Sequence, residues 1–161
     1  MDINTDNLRL GLLFRYNTTV DIYHCPADRS LVPGKTVPMT RSYSMSYPWM
    51  AGDPDVWGYK QIVYHERDIL DPGPSRASVF IDECSETQNN CGIGILPRGT
   101  WKFWDWPASR HMNGCNFSFA DGHVEHWKWL GSEVLTFKGF YYSVPTTDPD
   151  LPRLQATVGA F

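Results

Sequence analysis

Five side chains, His111, Asp121, His123, Asp82 and Glu83, are of the types that hold divalent metals. Imidazole combined with carboxylate suits zinc, and carboxylates alone suit calcium. Asp121-Gly122 has a second role open to it, because this dipeptide supplies the positive φ angles of a two-residue hairpin turn. His111 can lock that turn, or a neighbouring backbone carbonyl, by hydrogen bonding. Turn chemistry accounts for the Asp-Gly pair without an ion, so structural hydrogen bonding ranks ahead of a metal here. Asp82 and Glu83 could serve as an acid and base pair. Neighbours on a strand point to opposite faces, however, so pairing with Arg110 or capping of a loop is the better reading. Cys25 or Cys115 beside a histidine makes only a loose nucleophile arrangement. The sequence has no Gly-x-Ser-x-Gly elbow, phosphate loop or HExxH, and it reads as a non-enzymatic protein.

The four cysteines lack the paired spacing of a structural zinc site. Cys84 and Cys91 flank the polar run Ser85 to Asn90 and could meet as a disulfide in an oxidising compartment. Cys25 and Cys115 could then form a second bridge, but sequence cannot select the connectivity, and buried thiols are the other reading. Trp127 and Trp129, with Glu125 on the same strand face and Trp104 in the cluster Trp101 to Trp106, could present flat rings to a polysaccharide or a protein partner. Burial in a core is favoured for these rings, because Trp rarely stays exposed alone.

These residues need elements to position them. Asn4-Thr5-Asp6 offers cap oxygens before Leu8, Leu10, Leu12, Leu13 and Phe14, which predicts a short amphipathic helix over residues 6–16. A β-rich body over 20–144 follows, with a tail at 145–161 that includes a short helix near Asp150 to Thr157. Val20 to His24, Gln61 to Glu66 and Val134 to Val144 read as extended. Ser42 to Tyr47 alternates large residues with serines, the pattern of a half-buried strand ended by Pro48, and Ala51 to Gly58 is rich in turn residues. Ala77 to Ile81 is the most continuous apolar run and predicts a central strand leading into Asp82-Glu83. Asn116 to Ala120 and His123 to Trp129 predict a hairpin in which Phe119 faces Val124. In that register Cys115, Phe117, Phe119 and Val124 share the core face. The chain is thus expected to be a single α+β domain over 1–161, mainly antiparallel β.

The span from His111 to Gly122 is a His-x9-Asp-Gly motif. With Cys25-Pro26-Ala27-Asp28, Arg41-Ser42-Tyr43-Ser44-Met45, Pro74-Ser75 and Phe80-Ile81-Asp82-Glu83, it resembles the prepilin-type proteins that carry a C-terminal His-x9-Asp-Gly domain, relatives of the type II secretion pseudopilins. The similarity runs over residues 10–156. It implies a pilin or pseudopilin-like headgroup in which His111, Asp121, Gly122, Cys25, Pro26 and Asp28 are the motif positions. It also implies a structural role in a type II secretion or type IV pilus-like system, with other pilin-like subunits or secretion cargo as partners. Calcium or another divalent metal in a headgroup loop is the cofactor it suggests. The implied location is the periplasm or cell surface. Members of the family begin with a cleavable leader and a long apolar helix, and this sequence is expected to be the headgroup without them.

Composition narrows the alternatives. With 14 Lys and Arg against 18 Asp and Glu, the 161-residue chain has a net charge of −4, which argues against nucleic acid. No apolar run approaches the length of a membrane helix, so membrane contact is not expected of these residues. Aromatic residues are 14% of the chain, with 13 Gly and 12 Pro, a mixture that suggests short strands, many turns and large rings between them.

Overall fold

The computed structural model describes residues 4–47, 49–50 and 63–159. The turn-rich stretch at 51–58, residues 61–62 and Pro48 lie outside the described residues. Along the chain come helices α1 (Asp6–Arg9) and α2 (Phe14–Asn17), then strands β1 (Tyr43–Tyr47), β2 (Ser78–Asp82), β3 (Gly92–Gly94), β4 (Lys102–Phe103), β5 (Gly114–Phe119), β6 (Val124–Lys128) and β7 (Tyr142–Ser143), and last helix α3 (Leu151–Gln155). Five strands form one sheet in the order β3-β1-β2-β5-β6, and β4 pairs with β7. Every pairing is antiparallel except β1 with β3. The chain is therefore α+β, with a mostly antiparallel sheet and few short helices.

β2 holds the centre of the sheet, as its apolar run predicts, and Ile81 is fully buried there. Ser44, Ile81 and Phe117 are register partners across β1, β2 and β5, so they lie on one face. That inner face packs against Phe103, Trp106, Trp129, Val134, Val144, Leu151, Leu154 and Val158 in one core cluster. In β1 it is the serines that are buried, whereas Tyr43, Met45 and Tyr47 are only partly covered. Hydrogen bonding permits this arrangement: Ser44 Oγ donates to Glu83, and Ser46 Oγ lies 2.8 Å from Ser78 Oγ, so each small polar side chain is satisfied inside.

The hairpin register differs from the expected one by a residue. Phe117 faces Glu125 and Ser118 faces Val124, because the loop has three residues, Ala120 to Gly122, rather than two. Phe119 N donates to His123 O at 3.0 Å, Gly122 N donates to Phe119 O at 3.0 Å, and Gly122 sits at φ +90°. That is the glycine-closed form of a three-residue hairpin. A one-residue slip exchanges faces. Val124 therefore leaves the core face and is 68% exposed, while Glu125 and Trp127 stand with Cys115, Phe117 and Phe119.

Other segments depart from expectation for local reasons. The helix expected over 6–16 is two separate four-residue helices that bury nothing, with Gly11 between them. Val20 to His24 is a 3₁₀ turn over Asp21–Tyr23, closed by bonds from Tyr23 N to Val20 O and His24 N to Asp21 O, not a strand. Within the described part of Gln61 to Glu66, Val63 N bonds Trp49 O and Glu66 opens a 3₁₀ turn. Val134 to Val144 is extended only at β7, because Gly139 at φ +123° and Tyr141 at φ +54° break the run. The tail is part of the core, with Leu151, Leu154 and Val158 buried.

Candidate functional site

Asp82 follows Ile81 on β2, so its side chain points to the opposite, outer face of the sheet. Residues 21–28 and the loop 108–113 cover that end of the face and bury Asp82 completely. The covering loop is tied to β2 by the bridge Glu83 to Pro107 and by Ala108 N donating to Asp82 O at 2.7 Å. Residues 25–28 form a turn in which Asp28 N donates to Cys25 O at 2.9 Å, with exposed Pro26 at the position where proline's fixed φ favours turning. The turn brings Cys25 and Asp28 inward together.

Ser42 joins this turn to the sheet. Its amide donates to Tyr23 O at 2.9 Å, its hydroxyl accepts from Cys25 N at 3.0 Å and donates to Asp28 Oδ2 at 2.6 Å. Arg110 fills the space between the acids: Nη1 pairs with Asp82 Oδ1, while Nη2 lies 3.2 Å from Asp28 Oδ2 and donates to Glu83 O at 2.9 Å. His111 Nε2 lies 3.4 Å from Cys25 Sγ and 2.9 Å from Asp82 Oδ2. Cys115 Sγ donates to the Asp82 carbonyl at 3.1 Å. Burial pushes the Asp82 carboxyl above its usual range against the opposing pull of Arg110 and His111. Burial opposes ionisation of Asp28 too, but the Ser30 and Ser42 hydrogen bonds with the Arg110 charge outweigh it and hold that carboxyl low. Burial and the adjacent Cys25 thiol raise the Tyr43 phenol.

His111 is held through its backbone. Met112 and Asn113 adopt φ of +51° and +59°, folding the chain back so that His111 N donates to Gly114 O at 3.3 Å. The His126 ring passes over Gly114 and bonds His111 O from Nε2 at 2.9 Å. A Cβ on Gly114 would lie 2.5 Å from that nitrogen and 2.4 Å from Trp127 O. Gly114→Ala is therefore expected to cost about 1–3 kcal/mol, because a backbone oxygen cannot rotate away. A thermal melt showing no loss would remove this role for Gly114.

The residues expected to bind a metal do not gather at one place. Asp121, His123 and Glu125 form an exposed chain on the hairpin: His123 Nδ1 lies 2.5 Å from Asp121 Oδ1 and Nε2 lies 3.2 Å from Glu125 Oε1. Hydrogen bonding to Asp121 raises the His123 imidazole, and the His123 ring stacks on Phe119 at 4.5 Å. Asp121 also caps the turn by accepting from His123 N at 3.2 Å. The His111 side chain sits at Cys25 and Asp82, away from the Asp-Gly turn that it was expected to lock. Glu83 faces the inner side, where Ser44 and Thr87 donate to it and Arg41 Nη1 approaches to 3.8 Å. Burial pushes its carboxyl up to about 8.

All four cysteines are free thiols, so neither expected bridge is formed. Cys84 Sγ donates to Glu86 at 2.8 Å, and the thiols of Cys25 and Cys115 are engaged by His111 and the Asp82 carbonyl. The Trp rings pack against the protein, as the favoured reading expects, rather than forming an open ring face. Trp129 is 5% exposed and donates to Ala108 O, Trp127 is sandwiched by Phe117 at 4.5 Å and Arg153 at 4.8 Å, and Trp104 packs between Tyr47 and Tyr141. Among the described residues no helix is long and apolar enough to cross a membrane.

Sequence reasoning placed Asp82 and His111 in one candidate metal set and Cys25 beside an unspecified histidine, but did not join all three. The signal was their presence in three of the quoted motifs. Catalysis by the trio meets a geometric objection: thiol and carboxylate approach the same ring nitrogen, whereas a nucleophile relay uses the two nitrogens separately. Set against family models, curated proteins and solved structures, the chain matches none of them.

Proposed function

We propose that this chain is the headgroup of a non-enzymatic, pseudopilin-like structural component of a type II secretion or type IV pilus-like system at the bacterial envelope. The observation that carries the reading is the meeting of Cys25 and Asp28, Ser42, Asp82, and Arg110 with His111 in one buried polar junction. Four of the five segments on which the family resemblance rests, all but Pro74-Ser75, are thereby joined to one another, which is what a scaffold motif requires. The surface adds support. Leu10 and Leu12 are 83% and 84% exposed, with Tyr16 and Ile22 also exposed, and clustered apolar surface commonly marks a contact site. The headgroup supplies contacts to neighbouring subunits or cargo through this N-terminal side.

The test fuses the chain behind a prepilin leader and apolar helix in a bacterium with an active type II or type IV assembly system. Processing of the fusion and its recovery in sheared surface filaments are expected. Substituting Leu10, Leu12 and Tyr16 by Ser should reduce recovery while leaving the headgroup folded. A folded, processed fusion that never enters filaments would defeat the reading.

A further inference from the structure

We propose that Cys25, Asp82 and His111 form a binding site for a zinc-type divalent ion, with a fourth coordination position toward solvent. Their ligand atoms come from three separate segments and all lie within 4.8 Å of one another. A tetrahedral zinc ion with bonds of about 2.0–2.3 Å holds its ligand atoms roughly 3.3–3.8 Å apart. The 3.4 Å between Cys25 Sγ and His111 Nε2 already fits, and the 2.9 Å from Nε2 to Asp82 Oδ2 needs only a small opening.

An independent observation points to a ligand. Asp82 Oδ2 is fully buried and has no well-directed hydrogen bond among the described residues; its polar neighbour is His111 Nε2 at 2.9 Å, a nitrogen that Cys25 Sγ also approaches. A buried carboxylate oxygen left in that condition is costly, and a metal bond would satisfy it. The rest of the Asp82 carboxylate is oriented by Arg110 on Oδ1, and Cys25 is fixed by the Ser42 hydroxyl on its amide. Metal ligands are commonly held by such supporting contacts. Charge agrees as well: with Cys25 as thiolate, the acids Asp28 and Asp82 against Arg110 leave two negative charges, which a divalent ion neutralises. One sulfur, one nitrogen and one oxygen ligand suit zinc, whereas calcium requires an all-oxygen set. The His111 side chain is 22% exposed, so an ion has a route in and a water can complete the shell.

The full chain, reduced and stripped with chelator, is titrated with Co²⁺ as the spectroscopic probe for zinc. One equivalent should bring up a thiolate-to-cobalt charge-transfer band with intense tetrahedral visible bands, and Zn²⁺ should abolish both. Cys25→Ser should eliminate the charge-transfer band. His111→Gln should weaken binding by more than the roughly 10- to 100-fold typical of a supporting residue. Cys91→Ser, at an exposed thiol, should change nothing. Absence of the band in folded unmutated protein would overturn the proposal without reference to any variant. So would a band that survives Cys25→Ser and disappears with Cys91→Ser.

Discussion

Arg110→Met is expected to destabilise the protein by about 3–5 kcal/mol, the usual cost of removing one partner from a buried ion pair. The guanidinium is the one cation within contact of both Asp28 and Asp82 among the described residues, and those carboxylates are 3% and 0% exposed. Methionine keeps the unbranched apolar stem of the side chain while removing the guanidinium group, so most of the apolar packing is retained. What remains is Asp28 without its cation and Asp82 with only the His111 imidazole beside it, a carboxyl that burial already drives toward the neutral form. The Glu83 carbonyl also loses the donor at 2.9 Å. Urea unfolding at neutral pH checks this through a lower midpoint at constant slope. The double variant Arg110→Met with Asp82→Asn separates charge from shape, since removing the stranded carboxylate should recover a large part of the loss. A loss below about 1 kcal/mol would place the pair with ordinary surface salt bridges and contradict its structural weight.

The elements with strong local signals were legible in sequence. Ala77 to Ile81 has no reading other than a buried strand, and Asp121-Gly122 between two extended runs specifies a hairpin. The register was not legible, because Asp-Gly serves both two- and three-residue loops and Ala120 carries no information on which one forms. The burial of Ser44 and Ser46 was hidden for a different reason. Size predicts that tyrosine and methionine go inside, and only the partners Glu83 and Ser78, more than thirty residues away in sequence, make the serine face the inner one. The candidate site has the same character. Cys25, Asp82 and His111 each stood out by type or motif, but 86 residues separate Cys25 from His111, and no local pattern encodes a contact that the sheet's outer face creates. Burial of the Trp127 ring was favoured from its residue type, but nothing nearby in sequence announces that Arg153 is what lies over it.

Glu83 should make the protein less stable as pH rises from about 5 to 8. Its carboxyl ionises near 4.5 when solvated, while burial on the inner face holds the folded-state value up at about 8. Between those values the folded protein keeps a proton that the unfolded chain releases, so stability is fully present below 4.5 and is lost as pH climbs through 8. The slope approaches at most about 1.4 kcal/mol per pH unit for one such group, for a total of several kcal/mol. Asp105, pushed up to about 6 by burial, acts in the same direction over a lower window, and Asp82 shares its sign. Asp28, held low, acts in the opposite sense and only in acid, below the ordinary carboxylate range. Glu83→Gln copies the neutral carboxyl: its amide oxygen accepts from one of the Ser44 and Thr87 hydroxyls and its NH2 donates to the other. It should match the parent protein near pH 5, exceed its stability at pH 8, and flatten the dependence above about pH 7, where Asp105 has largely finished titrating. Urea midpoints of both proteins across pH 5 to 8.5 decide the matter. Parallel curves would mean that Arg41, 3.8 Å away, keeps Glu83 ionised throughout and that the inner face tolerates a buried charge pair.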